Sequence, residues 1–180
     1  MGGRFLVLLI KLTGAVMILV SGSSIGWIIG SSYQKRVKEL EELEMGINIF
    51  NTEISYKQSF MAEALMGAAA AFKSPLANLF RETAYELEKG NNKVFYEMWH
   101  ERLLINYRNN SLLEEDIEIL DSWGRQLGSS SLDNQNNINQ LILKRLRQQK
   151  IQAEKEAAKK VKLVRYAGVL ISLMIIILFY

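Results

Sequence analysis

The sequence predicts an all-α protein, a six-helix bundle flanked by N- and C-terminal transmembrane helices. Three observations lead there. The 180 residues include a single proline, Pro75, and few alternating strand-like runs. Apolar residues gather at the two ends, and the middle is highly charged. Within the middle, apolar residues recur at spacings of three and four, the period of a packed helix face.

The first apolar run, Leu12 to Gly30, carries no charge and approaches the ~20 residues that span a bilayer. Arg4 and Lys11 lie at one end, and Lys35, Arg36 and Lys38 at the other. Inside it, "SGSSIGWIIG" has two readings. Gly22-Ser23-Ser24-Ile25-Gly26 fits the G-x-S-x-G nucleophile elbow of a hydrolase, which needs a strand before the serine and a histidine and an acid later. No turn signal precedes Ser24, and the single histidine, His100, has no companion pattern. The same letters place Gly22, Gly26 and Gly30 four apart, on one face of a membrane helix where another helix can approach closely. The second reading is preferred. A signal peptide also begins with a basic end and an apolar run, but its apolar region spans about 7–15 residues. This run overruns that length, so a retained anchor is expected.

The helices follow in order. The first continues from the anchor over about Tyr33 to Tyr56, with Leu40, Leu43, Ile47, Phe50 and Ile54 as its seam. A second, Ala-rich helix is expected over Ser59 to Phe72, with Ser59 as N-cap. Ser74-Pro75 opens the third, which buries Leu76, Leu79, Phe80, Thr83 and Leu87 and stops at Gly90. The fourth covers Lys93 to Tyr107, with Val94, Phe95, Met98, Trp99 and Leu103 inward. Ser111 to Glu114 reads as a capping box for the fifth. Its expected face is Leu113, Ile117, Leu120, Gly124 and Leu127, and Gly128 ends it. The sixth begins near Ser131 and packs Leu132, Ile138, Leu141, Ile142 and Leu146. Arg147 to Lys162 is nearly all polar and is expected to be a solvated or lipid-facing stalk. The second apolar run, Ala167 to Tyr180, reaches spanning length if Leu163 and Val164 join it and Arg165 snorkels to the headgroups. The expected organisation is therefore transmembrane helix 1 over 5–30, a cytoplasmic helical bundle over 33–146, a basic stalk over 147–162 and transmembrane helix 2 over 163–180.

The net charge of +3 conceals an asymmetry. Residues 39–143 carry eight Lys/Arg against seventeen Asp/Glu, and residues 144–165 carry nine against two. Basic clusters beside apolar spans fit positive-inside topology and attract anionic lipid, so membrane lipids are expected partners and nucleic acid is not. Lys35, Arg36, Lys38, Lys159, Lys160, Lys162 and Arg165 are the candidate headgroup residues. Gly22, Gly26 and Gly30, with Gly168 and Ser172 in the second run, are candidate helix-packing positions. Glu114, Glu115, Asp116, Glu118 and Asp121 form a dense acidic cluster. It reads as a solvated helix end favoured by the helix dipole or as a partner-docking surface. There is no Cys, and no phosphate loop, zinc spacing or triad order. No catalytic residue, cofactor or metal is expected, and the chain is not expected to be an enzyme.

An apolar anchor is followed by "ELEELEMGINIFNTEISYKQSFMAEALMGAA", "SPLANLFRETAYEL" and "LDSWGRQLGSSSLDNQNNINQLILKRLRQQ", and the chain closes with "AEKEAAKKVKLVRYAGVLISLMIIILF". Together these resemble the stage III sporulation protein AB family, nearly end to end. The telling pieces are Glu53-Ile54 with Glu63-Ala64-Leu65, Leu127-Gly128 followed by Asp133 and Gln135, and Lys162-Leu163 to Leu170. "GSSSLD" departs from the pattern, because an Asp closer to the Gly is expected there. That family is similar to the cytoplasmic domain of type II secretion F proteins, so the resemblance implies a six-helix bundle of type II secretion F-like type. It also implies a non-enzymatic platform or adaptor in the channel complex between mother cell and forespore. The implied location is the mother-cell membrane around the forespore, with the central domain cytoplasmic. The implied partners are the other stage III sporulation A-operon proteins, especially the AA protein, a secretion-type ATPase. A homo-oligomer stays open, as does the alternative of a membrane-anchored sensor or lipid-binding protein with no ATPase partner.

Overall fold

A computed structural model describes the backbone of residues 2–90, 93–127 and 132–179. Side chains are described for these except at 2–5, 7–8, 132–136 and 179. Among the described residues the chain forms six α-helices and no strand: α1 (Gly2–Ser55), α2 (Met61–Ala70), α3 (Leu76–Glu88), α4 (Phe95–Tyr107), α5 (Glu114–Leu127) and α6 (Leu132–Phe179). They divide into two compact units, Met1–Gln34 with Glu154–Tyr180, and Lys35–Ala153.

In the Lys35–Ala153 unit, α2 packs on α3, α3 on α4 and α4 on α5. The α1 seam is buried throughout: Leu40, Leu43, Ile47, Phe50 and Ile54. Four aromatic rings meet at the centre of the core. Trp123 lies edge-on to Phe50 at 5.1 Å and to Trp99 at 5.0 Å, and Phe80 meets Trp99 at 5.2 Å. These are the edge-to-face arrangements that ring quadrupoles favour. Buried indoles need acceptors. Trp99 Nε1 donates to the Leu120 carbonyl at 2.9 Å. Trp123 Nε1 donates to Asn139 Oδ1 at 2.7 Å, and Asn139 Nδ2 donates onward to Asn51 at 2.9 Å. Gly124 makes room for Trp99: a Cβ there would stand 2.0 Å from its Cδ1.

Helix ends follow local chemistry, with shifts from the sequence expectation. Gly90 has φ +64 and follows α3, as a left-handed C′ glycine does. Ser59 is not the cap of α2. Its hydroxyl donates to Glu53 Oε2 at 3.1 Å, and the Phe60 N–H is instead met by Glu63 at 3.3 Å. At α3 the N-cap is Pro75 rather than Ser74, with no side-chain cap bond, and the preceding Lys73 and Ser74 N–H groups donate to Glu42 of α1 at 3.3 and 3.1 Å. Val94 and Leu141 are exposed rather than inward, while Leu143 is buried. The helix stop at Gly128, the start at Ser131, the packing of Leu132 and the "GSSSLD" cap lie outside the described residues.

The compact unit runs past Leu146. Ala153 is buried, and Arg147 and Lys150 both bond Glu44, at 2.5 and 2.8 Å. The first residues of the expected solvated stalk are therefore packed against α1. Burial pushes the Glu44 carboxyl up, but hydrogen bonds from Lys150 and Arg147 hold it below the usual value.

In the other unit, the sequence between residues 12 and 30 stays helical through the Gly22–Gly26 motif, and Ser24 Oγ donates to its own helix at the Val20 carbonyl, 2.8 Å away. A strand–turn–helix elbow is absent. Leu9–Ser55 and Asn137–Leu178 each contain a stretch long and apolar enough to cross a membrane, with mean hydropathy 1.8 and 2.1. Only 6% and 11% of these stretches are buried. The core helix of a soluble protein is buried over most of such a stretch.

Candidate docking surface and helix-packing site

The acidic cluster separates into two kinds of residue. Glu114, Glu115 and Glu118 are exposed on the first turns of α5. Asp116 is 0% exposed. It accepts from Arg36 Nε at 2.8 Å and Nη2 at 3.1 Å, a two-pronged pairing. Asp116 also accepts the Leu113 N–H at 2.9 Å, so it caps the helix from the third position. The capping box expected at Ser111 and Glu114 is thus displaced by two residues. The Ser111 N–H donates instead to Glu39 Oε2 at 2.7 Å. Burial pushes the Glu39 carboxyl up, against the pull of the Ser111 hydrogen bond.

Two expected roles change as a result. Asp116 is not on the surface where a partner would dock. Arg36, expected at lipid headgroups, is 4% exposed and points into the protein. Its Nη2 also reaches Gln149 of α6 at 3.1 Å, and Gln149 Nε2 donates to Glu115 at 3.3 Å. The first turn of α5 is therefore tied to α1 and α6. Leu113 is exposed and Ile119 buried, so the inward face of α5 is rotated from the expected one. The cause is Asp116, a polar residue that takes an inward position once it has a cationic partner.

Asp121 is half-buried. It accepts from Arg125 at 2.8 Å and from the Tyr96 hydroxyl at 3.1 Å, and His100 Nδ1 lies 2.7 Å away. Burial pushes its carboxyl up, yet these neighbours hold it below the usual aspartate value. Sequence reasoning left His100 apart from this cluster, because 21 residues separate it from Asp121 and only the α4–α5 packing joins them. A cleft of about 420 Å³ opens beside the pair, with Leu103, Leu104 and Ile117 against Glu114 and Glu118. Acidic side chains around an apolar floor can take a basic, partly apolar protein surface. No group of three or more candidate metal ligands occurs among the described residues.

The glycine stripe has a definite neighbour in its own unit. A Cβ at Gly22 would meet Ser172 Oγ at 1.9 Å, and one at Gly26 would meet the Val164 carbonyl at 2.9 Å. One at Gly168 would meet the Gly22 carbonyl at 2.6 Å. Gly22 and Gly26 therefore pack α1 against Gly168 and Ser172 of α6 in the same chain, while Gly30 lies against Arg165 and Val161. Lys35, Lys38, Lys159, Lys160 and Lys162 are exposed. Arg165 is half-exposed, with its guanidinium 4.2 Å from the Trp27 ring centroid.

These features define a class: an all-helical protein with two helices suited to a bilayer and a compact helical unit bearing an exposed acidic face. The family model of stage III sporulation protein AB matches residues 11–180, and the chain belongs to that family. Stage III sporulation protein AB of Bacillus subtilis (strain 168) is 26% identical over 170 residues, covering 94% of this chain and 99% of that one. A solved structure of stage III sporulation protein AB superposes with a TM-score of 0.63 at 23% identity, over 68% of this chain and 96% of the other. Membership supports a part in sporulation.

Proposed function

We propose that the chain is a non-enzymatic membrane platform that couples a cytoplasmic secretion-type ATPase to the channel complex between mother cell and forespore. The family supports the sporulation setting, and the two apolar segments support a membrane location. The observation that carries the coupling role is the exposed Glu114, Glu115 and Glu118 face. It sits on a helix start held by the buried Arg36–Asp116 pair, and a docking face needs such a fixed backbone. The chain resides in the mother-cell membrane around the forespore. Residues 35–165 face the cytoplasm, because the basic clusters flank both spans on that side.

Purification of the tagged chain from sporulating cells tests this reading. The ATPase and other stage III A-operon proteins copurify on the proposal. Their absence leaves a membrane-anchored lipid-binding protein instead. With no native Cys, a single cysteine at Glu115 reports topology, and labelling it from outside intact cells contradicts the proposed orientation.

A further inference from the structure

Residues 1–38 and 157–180 contain no Asp or Glu. Arg165 stands among them as the last cation before the C-terminal apolar run, and it has an ordered seat. Its guanidinium carbon lies 4.2 Å from the centroid of the Trp27 ring. Its stem lies along Gly30, where a Cβ would stand 3.4 Å from Nε and 3.6 Å from Cγ. Nε is buried and makes no hydrogen bond. No carboxylate pairs with the guanidinium among the described residues. The exposed Lys160 nearby is held differently: its Nζ lies 3.3 Å from Glu156 and 5.4 Å from the Tyr33 ring centroid.

A cation within the hydrocarbon region is costly unless it is neutralised, and one near the end of a span reaches toward the headgroups. The indole face orients the guanidinium and supplies part of that neutralisation. It does not use the terminal N–H groups, which form a planar fork matched to two phosphate oxygens. An indole surface and a glycine gap together fix an arginine far better than a solvated stalk fixes a lysine.

We propose that Arg165, seated on Trp27 and Gly30, is a discrete binding site for one phosphate anion, supplied by the headgroup of an anionic phospholipid. This rests on the reading of the two apolar segments as membrane spans. It differs from diffuse attraction by the basic clusters, because it assigns the binding to one arginine and to the aromatic ring beneath it. Inorganic phosphate offers the same chemistry without the acyl chains that hold a lipid at this depth.

The test uses the full chain purified in detergent and placed in nanodiscs of phosphatidylcholine with a minor fraction of phosphatidylglycerol, with retained lipid counted by native mass spectrometry. The wild type retains phosphatidylglycerol in preference to phosphatidylcholine, whose choline cation offsets the charge of the same phosphate. Arg165→Gln and Trp27→Leu each lower that preference about fivefold or more, the size of one lost basic contact near the surface. Lys162→Gln, which leaves the seat intact, lowers it less. Equal losses for Arg165→Gln and Lys162→Gln mean diffuse attraction and overturn the site. Displacement of the lipid by inorganic phosphate overturns the lipid source. Unchanged lipid retention in Arg165→Gln with loss of a copurifying membrane protein assigns the arginine to a partner carboxylate and overturns the proposal. Release of the wild type from membranes by alkaline carbonate overturns the spans themselves. Membrane retention of the wild type with no lipid preference overturns this site alone.

Discussion

Arg36 of α1 and Asp116 of α5 face each other 2.8 Å apart, with side chains 5% and 0% exposed, across 80 residues of chain. Removing one member of such a pair strands the other charge in a low-dielectric interior. Asp116 also holds the Leu113 N–H, so its loss opens the α5 cap as well. Asp116→Ala is expected to destabilise the Lys35–Ala153 unit by about 3–5 kcal/mol, read by denaturant unfolding of the purified chain. Glu115→Ala, on the exposed neighbour, should stay within about 0.5 kcal/mol. Equal effects at the two positions contradict the division between structural and exposed acids.

Gly124 carries a second structural expectation. A methyl group there collides with the Trp99 ring, and Trp99 cannot swing away without giving up its hydrogen bond to Leu120 or its edge contact with Trp123. Gly124→Ala should cost about 1–3 kcal/mol as an overpacked core and shift the near-ultraviolet tryptophan signal. If it behaves as the usual exposed-helix glycine replacement, a gain from better helix propensity, the packing described around Trp99 is wrong.

How far the fold could be read beforehand depended on the kind of interaction. The α1 seam, the Gly90 stop and the Leu76–Leu79–Phe80–Thr83 face were legible, because each is written in local spacing or in the demand for a left-handed residue. The helix starts were less so. Ser59, Ser74 and Ser111 look like caps, but Glu63, Glu42, Asp116 and Glu39 do the bonding. Two of these, Glu42 and Glu39, lie on another helix, which no local pattern reveals. Arg36 and Asp116 were misplaced for the same reason. Each sits in a run of like charges, and only the tertiary pairing turns them inward.

Glu39 gives a pH dependence. Its carboxyl titrates above the ordinary 4.5, chiefly because it is buried. A folded value above the unfolded one means that the folded state binds the proton more tightly. The stability this group contributes is therefore present below about pH 4.5 and is lost as pH rises through the folded value. Glu39→Gln keeps an acceptor for the Ser111 N–H and removes the buried charge. It should be neutral or stabilising at pH 7, and its advantage over the wild type should shrink as pH falls toward 4.5. An advantage that instead grows with acidity contradicts the assignment.

The glycine stripe makes a prediction about the membrane segments. Gly26→Leu cannot keep α1 beside the Val164 carbonyl, whose oxygen stands 2.9 Å from the position of a Cβ. The variant should still resist alkaline extraction from membranes while losing the contact between its two apolar helices. Paired spin labels on α1 and α6 outside the stripe read that separation. Ser24→Ala should leave it unchanged, because the hydroxyl bonds only its own helix. Normal spacing in Gly26→Leu means that the glycines are incidental to the packing.

The central claim is that the exposed start of α5 docks a cytoplasmic ATPase. Glu115 and Glu118 point away from the core, whereas Asp116 holds the helix in place. Glu115→Lys with Glu118→Lys should therefore reverse the surface charge without unfolding the chain. The most direct measurement is binding of the purified ATPase to wild-type and double-mutant protein across a salt series, with matched unfolding curves. Wild-type binding should be rapid at low salt and weaken as salt screens it, and the folded double mutant should bind more weakly, mainly through slower association. Equal, salt-insensitive binding by the two folded proteins would contradict the claim and leave these carboxylates as a solvated helix end.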